Sequence, residues 1–461
     1  MNMVLPEYVL DCLNRLEKAG YQAWAVGGCV RDALLGKPPQ DYDLCTDALP
    51  ERTQALFSDR ELVLAGLKHG TVGVVTPGGV VEITTFRTEG DYEDGRHPQW
   101  VHFVPELRED LRRRDFTVNA MAWSPLRGLR DPFGGQEDLE NGILRAVGEP
   151  EQRFREDALR ILRGVRFACR FRLRVEENTL RAMESLVPLM EGLSRERVFG
   201  ELCALLPGIT AEQLLRFAPV ITGAIPELKP MVGFDQRSPH HAYDLYTHTA
   251  HVTGAVPADL TLRWAALLHD VGKIPTFTLD ETGRGHFYGH AGASAEAADA
   301  ILHRLKAPTA LRERVNILIR NHMTRLEEDK KLLKRRVRSL GWEAVEQLLR
   351  LQEADMGSKG TGEEQDFDQF RRIRALLEEI RAENACLTLR DLAVNGNDLM
   401  ALGLRGAEIG KALNALLDAV LDERVPNHRE ALLRYAGESG VCMSLLSLRD
   451  QSADWSWQSP G

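Results

Sequence analysis

The chain lacks a long apolar stretch. No run among its 461 residues approaches the roughly 20 that a membrane-spanning helix requires, so a membrane span is not expected. The N-terminal MNMVLPEYVLDCLNRLEKAG is interrupted by charge and has helical spacing, so a signal peptide is not expected there. The seven cysteines are scattered, odd in number and contain no Cys-x-x-Cys pair. That argues against a disulfide framework or a thiolate zinc site and for reduced thiols in the cytoplasm. Internal repeats and low-complexity tracts are also missing. Basic charge is in deficit, with a net charge of −10, which points away from nucleic acid unless a local patch overrides the total. Two such patches exist: eight arginines between Arg153 and Arg174, and Lys330, Lys331, Lys334, Arg335, Arg336 and Arg338. Each reads either as a solvated helix face or as a phosphate-binding surface.

Hydrophobic residues at 43% and charged residues at 27% are ordinary for a globular protein, and the length allows several cores. Residues 1–140 read as mixed α/β. A helix over 6–19 carries Val9, Leu10, Leu13 and Leu16 and stops at Gly20; a strand over 22–26 meets Gly27-Gly28 and a short helix, CVRDALLG. DYDLC alternates as a strand, and VGVVT with GVVEITTF reads as a hairpin around Pro77-Gly78-Gly79. The stretch 88–99 reads as a mobile loop. From about residue 136 onward, no strand series is expected. EDALRILRGVRFACRF and LRERVNILIRNHM have helical periodicity, and GSKGTGEEQ reads as a flexible connection.

The first chemical constellation is Gly27-Gly28 with Arg31, followed by Asp41-x-Asp43 and then Glu82. Glycines between a strand and a helix let backbone N–H groups approach a triphosphate, and Arg31 adds counter-charge. Asp41 and Asp43, two apart on a strand, point to one face. Adjacent carboxylates repel unless a divalent cation lies between them, and a pair of Mg²⁺ ions is what phosphoryl-type transfer uses. Glu82, on a neighbouring strand, supplies a third carboxylate. Asp157 and Arg160, three apart in a helical pattern, would face the same way and offer an acceptor and a donor fork to one base edge. An intrahelical salt bridge explains the same spacing.

VGGCVRDALLGKPPQDYDLCT resembles the signature of the polymerase-beta-type nucleotidyltransferases, in the bacterial branch that holds CCA-adding enzymes and poly(A) polymerases. RRRDFTVNAMAW (112–123) resembles the second motif of that branch, DPFGG (131–135) the third, EDALR (156–160) the fourth and SRERVFGEL (194–202) the fifth. The resemblance implies an α+β head with a mixed sheet, followed by an all-α neck, body and tail. It further implies template-free addition of C, C and A to the tRNA 3′ end from CTP and ATP, with Mg²⁺ in the head. By the same resemblance Asp41, Asp43 and Glu82 are catalytic. Gly27, Gly28, Arg31, Arg114, Asp115 and Asn119 would bind the nucleotide, and Asp157 with Arg160 would select its base. Arg163, Arg166 and Arg170 continue the Arg160 stripe and could track the RNA backbone. Related enzymes that stop after CC lack a flexible loop between Arg87 and Pro105; this sequence retains RTEGDYEDGRHP, which implies competence for the A step.

A second set, His248…His269-Asp270…Asp355, resembles the HD phosphohydrolase superfamily, with His290 and His322 as candidates for a second metal. Imidazole and carboxylate together suit Mn, Fe, Ni or Mg. His286 and the pair His240-His241 are not expected to be ligands. These resemblances divide the chain into a head (1–140), a neck (141–235), an HD domain (236–356) and a tRNA-binding tail (366–461), the last 20 or so residues forming a loose end. Three other readings stay open: a poly(A) polymerase or A-adding enzyme, an HD phosphodiesterase or phosphatase as the main activity, and an HD fold serving only as an RNA platform.

Overall fold

A computed structural model describes residues 3–90, 101–239, 242–360 and 367–438. The chain divides into two compact units. The first comprises Met1–Asp235, Asp244–Trp264 and Asp299–Arg312; the second comprises Gln236–Tyr243, Ala265–Ala298 and Glu313–Gly461. This division cuts through the 236–356 segment, since two of its stretches group with the head and neck.

The head of the first unit begins with α1 (Glu7–Lys18), β1 (Ala23–Val26), α2 (Gly28–Leu34) and β2 (Asp43–Thr46). α3 (Pro50–Leu56), β3 (Leu62–Val63), β4 (Thr71–Thr76) and β5 (Gly79–Thr85) follow. Then come β6 (Arg87–Glu89), β7 (Val101–Phe103), α4 (Leu107–Arg112), β8 (Ala122–Ser124), β9 (Gly128–Arg130) and α5 (Gly135–Glu140). The seven-stranded sheet has the order β3-β4-β5-β2-β1-β8-β9, and β2 runs parallel to β5. The α+β reading of the head agrees with this arrangement.

Both faces of the sheet are covered, so alternate residues of one strand enter different cores. Ala23 and Ala25 pack with Val9, Leu13 and Leu16 of α1, whose three- and four-residue spacing makes one apolar face. Trp24 and Val26 pack on the other side with Cys45, Phe86 and Leu111. The hairpin β4–β5 closes at Thr76↔Gly79, where Gly79 takes φ 122°.

The turn after β9 is built by Asp131. Its two carboxylate oxygens accept from the backbone N–H groups of Gly135 and Gln136, each at 2.8 Å, and so cap α5. Gly134 lies in the left-handed region at φ 73°. A Cβ on Gly135 would lie 2.1 Å from the Thr117 carbonyl oxygen, so only glycine fits beneath that backbone.

The neck of the first unit carries α6 (Pro150–Glu156), α7 (Leu159–Phe171), α8 (Glu177–Ser185) and α9 (Arg195–Leu205). The expected continuous helix over 156–171 is broken. Asp157 is extended (φ −146°, ψ 102°), and its carboxylate accepts the Leu159 N–H at 3.0 Å. A short acidic side chain that bonds its own downstream backbone starts a new helix and ends the old one. Downstream of residue 136 there are two-residue ladders, Ile143–Leu144 with Arg174–Val175 and Thr278–Leu279 with Gly285–His286, too short to produce an alternating pattern.

The second unit is otherwise helical, with Lys330–Leu340, Trp342–Gly357, Asp368–Ala382, Gly396–Ala401, Ala407–Leu421 and Arg429–Glu438. No described helix in either unit is long and apolar enough to cross a membrane.

The Gly135 contact yields a stability prediction. Gly135→Ala forces the Thr117 backbone to shift and is expected to destabilise the first unit by about 1–3 kcal/mol. The check is the midpoint of urea unfolding followed by tryptophan fluorescence; an unchanged midpoint would show that the turn tolerates a side chain.

Candidate active site

The sheet register gathers the head carboxylates. Asp43 pairs with Val26 on one side and with Glu82 on the other, so Asp43 and Glu82 share the face that holds Trp24 and Val26. Val81 and Ile83 point into the opposite core, which leaves Glu82 no alternative face. Asp41, Asp43 and Glu82 all keep exposed edges. Protein crowding around the Asp43 carboxyl raises its pKa; Arg114 opposes the rise and Asp41 adds to it. Glu82 is raised by desolvation and by the charges of Asp43 and Asp41. Repulsion on one strand face, with oxygen donors only, is the chemistry a hard divalent cation relieves.

Beside this face, Gly27 separates β1 from α2 with φ 77°. A Cβ there would lie 2.9 Å from Arg114 Nη1, and one on Gly28 would lie 3.5 Å from Arg31 Nη2. Gly27 therefore makes room for the Arg114 guanidinium, while Gly28 lies at ordinary contact distance from Arg31. Arg31 is buried; it donates to Asn119 Oδ1 at 2.5 Å and to Asp32, and stacks 4.2 Å above Phe171. Asn119 donates in turn to Asp115 Oδ1 at 3.0 Å. Asp115 is buried and accepts twice from Arg163, at 2.9 and 2.7 Å. Burial works against its ionisation, but Arg163, Asn119 and Arg160 together hold its pKa down at about 2.

In the neck, Asp157 and Arg160 do not share a helix face, because Asp157 precedes the first residue of α7. Asp157 Oδ2 accepts from Arg197 at 2.7 Å. Arg160 donates to the carbonyls of Arg153 at 3.1 Å and Arg113 at 2.9 Å, and to Glu156 Oε2 at 2.7 Å. The ion pair made by Arg160 is thus with Glu156, the last residue of α6, not with Asp157. The expected open arginine stripe is likewise corrected. Arg163 is bound to Asp115, and Arg166 donates to Glu201 at 2.6 Å, because internal carboxylates on α9 and the head face this side of α7. Arg170 is exposed and lies 5.5 Å over Phe171.

The second unit brings Asp270, His290 and His322 together, with candidate ligand atoms within 4.8 Å of one another. Nδ1 of His269, His290 and His322 lies 2.7, 2.8 and 2.6 Å from the carbonyls of Ala266, Phe287 and Ile319. Donation from Nδ1 leaves each Nε2 as an acceptor turned inward, the orientation metal-binding imidazoles adopt. His290 Nε2 and His322 Nε2 face each other at 3.3 Å, two lone pairs that need a shared cation or proton. Asp270 Oδ1 lies 3.6 and 3.8 Å from them. Burial lowers both imidazole pKa values, that of His322 to about 4, so both are neutral at pH 7. Asp355 lies 3.9 Å from His269 Nε2. His248 is buried on the helix Leu245–Ala255 of the first unit. His286 pairs with Asp280 at 2.7 Å, while His240 and His241 lie outside the described residues.

Residues 23–145 match the poly A polymerase head domain, and residues 286–436 match tRNA nucleotidyltransferase domain 2. The chain is 34% identical over 431 residues to a CCA-adding enzyme of Streptococcus mutans, covering 92% of this chain and 95% of that protein. The chain belongs to the CCA-adding enzyme family. It is also 39% identical over 290 residues to a CCA-adding enzyme of Geobacillus thermodenitrificans, covering 60% of this chain and 69% of the relative. The crystal structure of the Bacillus stearothermophilus CCA-adding enzyme in complex with CTP superposes with a TM-score of 0.65 at 28% identity, covering 97% of this chain and 100% of that one.

Within this family frame, the second basic cluster proves to be a packing device. Lys330 meets Glu379 and Glu383, Lys331 and Lys334 meet Glu423, Arg335 meets Asp422 and Arg338 meets Asp418. Those carboxylates lie on or beside the helices Asp368–Ala382 and Ala407–Leu421, so the cluster ties three helices together. Two polar residues were missed from sequence. Arg197 orients Asp157, and buried Lys273 lies 2.8 Å from Asp270 Oδ2. Arg197 sits in SRERV and Lys273 directly after His269-Asp270-Val-Gly, so motif membership was the only signal available.

Asp115 yields a pH prediction. Its depressed pKa contributes stability that is complete above the unfolded value near 3.8 and lost as pH falls through about 2. The difference in unfolding midpoint between the native chain and Asp115→Asn should therefore be constant above about pH 5 and shrink between about pH 4 and 2. A difference that stays constant down to pH 2 would mean that Asp115 is not ionised by Arg163.

Proposed function

We propose that this chain adds C, C and A to the 3′ end of tRNA from CTP and ATP, without a nucleic-acid template. The carrying observation is the Asp43–Glu82 register, which sets two carboxylates side by side, with Asp41 near enough to act on both, in a member of the CCA-adding enzyme family. In the reaction, the tRNA terminal ribose hydroxyl attacks the α-phosphate of CTP or ATP and pyrophosphate leaves. Asp41, Asp43 and Glu82 would hold Mg²⁺, which when bound supplies hydroxyl activation and charge neutralisation on the phosphates. Arg31 and Arg114 supply fixed positive charge beside that face, aligning the triphosphate for in-line displacement.

Asp157, in the break between α6 and α7, and Arg160, in the first turn of α7, select the base together. A carboxylate offers about four lone-pair sites and a guanidinium five N–H groups. Asp157 uses two of these, on Leu159 N and Arg197, and Arg160 uses three, on Arg153, Glu156 and Arg113. Both retain capacity for a base edge, and the internal bonds fix the direction of what remains. Asp115 and Asn119 act by holding Arg31 and Arg163, and Arg170 remains the exposed cation of α7 available to RNA phosphate.

We further propose that Asp270, His290 and His322, with His269 and Asp355 adjacent, hold a divalent metal for phosphate-ester hydrolysis. Such a metal, when bound, acidifies a water. Lys273, 2.8 Å from Asp270 Oδ2, orients that carboxylate.

Two experiments test these readings. Asp43→Ala should reduce transfer of labelled CTP onto tRNA lacking its last three nucleotides by at least about 10³-fold with an unchanged far-UV CD spectrum. Normal extension by that variant would overturn the head assignment, and incorporation of ATP alone in long runs would favour the poly(A) reading. His322→Ala should abolish metal content in elemental analysis while tRNA extension persists. Full metal content in that variant would remove the second proposal.

A further inference from the structure

The buried acid that no step above uses is Asp110 on α4. It is 0% exposed, and its carboxylate is divided among three donors. Oδ1 accepts from Arg113 Nε at 2.9 Å and from the backbone N–H of Arg87, the first residue of β6, at 3.3 Å. Oδ2 faces Arg114 Nη2 at 3.5 Å. Among the described residues Asp110 is the only carboxylate within ion-pair distance of Arg114, and Arg114 Nε is buried without a hydrogen-bond partner. The guanidinium of Arg114 is therefore held over Gly27 by one acid and has donors to spare. Its charge also reaches Asp43, where it opposes the rise in carboxyl pKa that burial causes.

We propose that Asp110 is a positioning residue for nucleotide and magnesium binding: it holds Arg114 over Gly27, aimed at the triphosphate and away from the catalytic carboxylates. The inference rests on the proposed contact between Arg114 and the nucleotide. Without the Asp110 charge, the remaining acid attracting Arg114 is Asp43, and a guanidinium there competes with the cation that Asp43 would hold. A neutral side chain at 110 thus harms the site in two ways, by misaiming Arg114 and by occupying a metal ligand. A structural role for Asp110 would lower stability alone.

The test is a double-mutant cycle on the full chain, using Asp110→Asn, Arg114→Ala and both together. KM for CTP and ATP, kcat, and the Mg²⁺ concentration for half-maximal rate are measured on tRNA lacking its last three nucleotides. Asp110→Asn is expected to raise KM for both nucleotides about tenfold, as for loss of one charge-assisted hydrogen bond, and to raise the half-maximal Mg²⁺ concentration severalfold. Arg114→Ala should raise KM at least as much while leaving the Mg²⁺ requirement near the native value. In the Arg114→Ala background, Asp110→Asn should change KM and the Mg²⁺ requirement by less than about twofold. Additive effects in the double variant, or an unaltered Mg²⁺ requirement in Asp110→Asn, would overturn the role of Asp110 while leaving the nucleotide contact standing. An unaltered KM in Arg114→Ala would instead overturn the contact itself. If Asp110→Asn does not fold, Asp110→Glu, which keeps the charge one methylene away, replaces it. It is expected to raise KM by less than Arg114→Ala does, and again only when Arg114 is present; an effect that persists without Arg114 overturns the proposal.

Discussion

Three neighbouring carboxylates, Asp43 and Glu82 paired on adjacent strands and Asp41 just before the first, are the constraint around which the head is organised. Such a grouping is unfavourable by itself: burial first, and the neighbouring carboxylates after it, oppose ionisation and raise the pKa of both Asp43 and Glu82. What imposes it is hydrophobic alternation in the sheet. Val81 and Ile83 are buried in one core and Trp24, Val26 and Cys45 in the other, so a one-residue slip of β5 would bury Glu82 and expose two apolar side chains. The apolar pattern thus holds the acidic one in place. The chemical consequence is a standing demand for a divalent cation at the strand ends.

The neck answers a complementary problem, that of keeping many guanidinium groups rigid. Arg160, Arg163 and Arg166 each find internal acceptors, and Glu156, Asp115 and Glu201 are the carboxylates that receive them. Phe167 and Phe171 stack on each other, and Arg31, Arg166 and Arg170 lie over their faces. Charges fixed this way reorganise little when a triphosphate arrives, which is the condition for strong electrostatic stabilisation. The second unit solves a smaller version of the same problem with backbone carbonyls: each of three imidazoles is tethered through Nδ1, which turns Nε2 toward Asp270 or its neighbours.

Much of this was legible in the residues. The short helix after Gly27-Gly28 and the hairpin over 71–85 follow from turn residues and period-two alternation, which are local; the strand expected from Asp41 begins only at Asp43. The partners of the charged side chains were not. The spacing of Asp157 and Arg160 suggested one helix face, but the Asp157 carboxylate bonds the Leu159 N–H and breaks the helix between them. The arginine stripe on α7 and the cluster 330–338 each read either as a solvated face or as a phosphate-binding surface, yet Arg163 and Arg166 on the stripe and five cations of the cluster meet acids far away in the chain. No periodicity reports such a partner. The retained loop between Arg87 and Pro105 lies partly outside the described residues, at 91–100.

The sequence alone determined the reaction class, because the order of its glycines, arginines and acids is carried by short motifs whose geometry is local. It also determined which segments are helix and which are strand over most of the head. Only the tertiary structure decided which charges face ligand and which face each other. A cation and an anion attract across any fold that brings them close, and closeness between distant residues is a property of the packed chain.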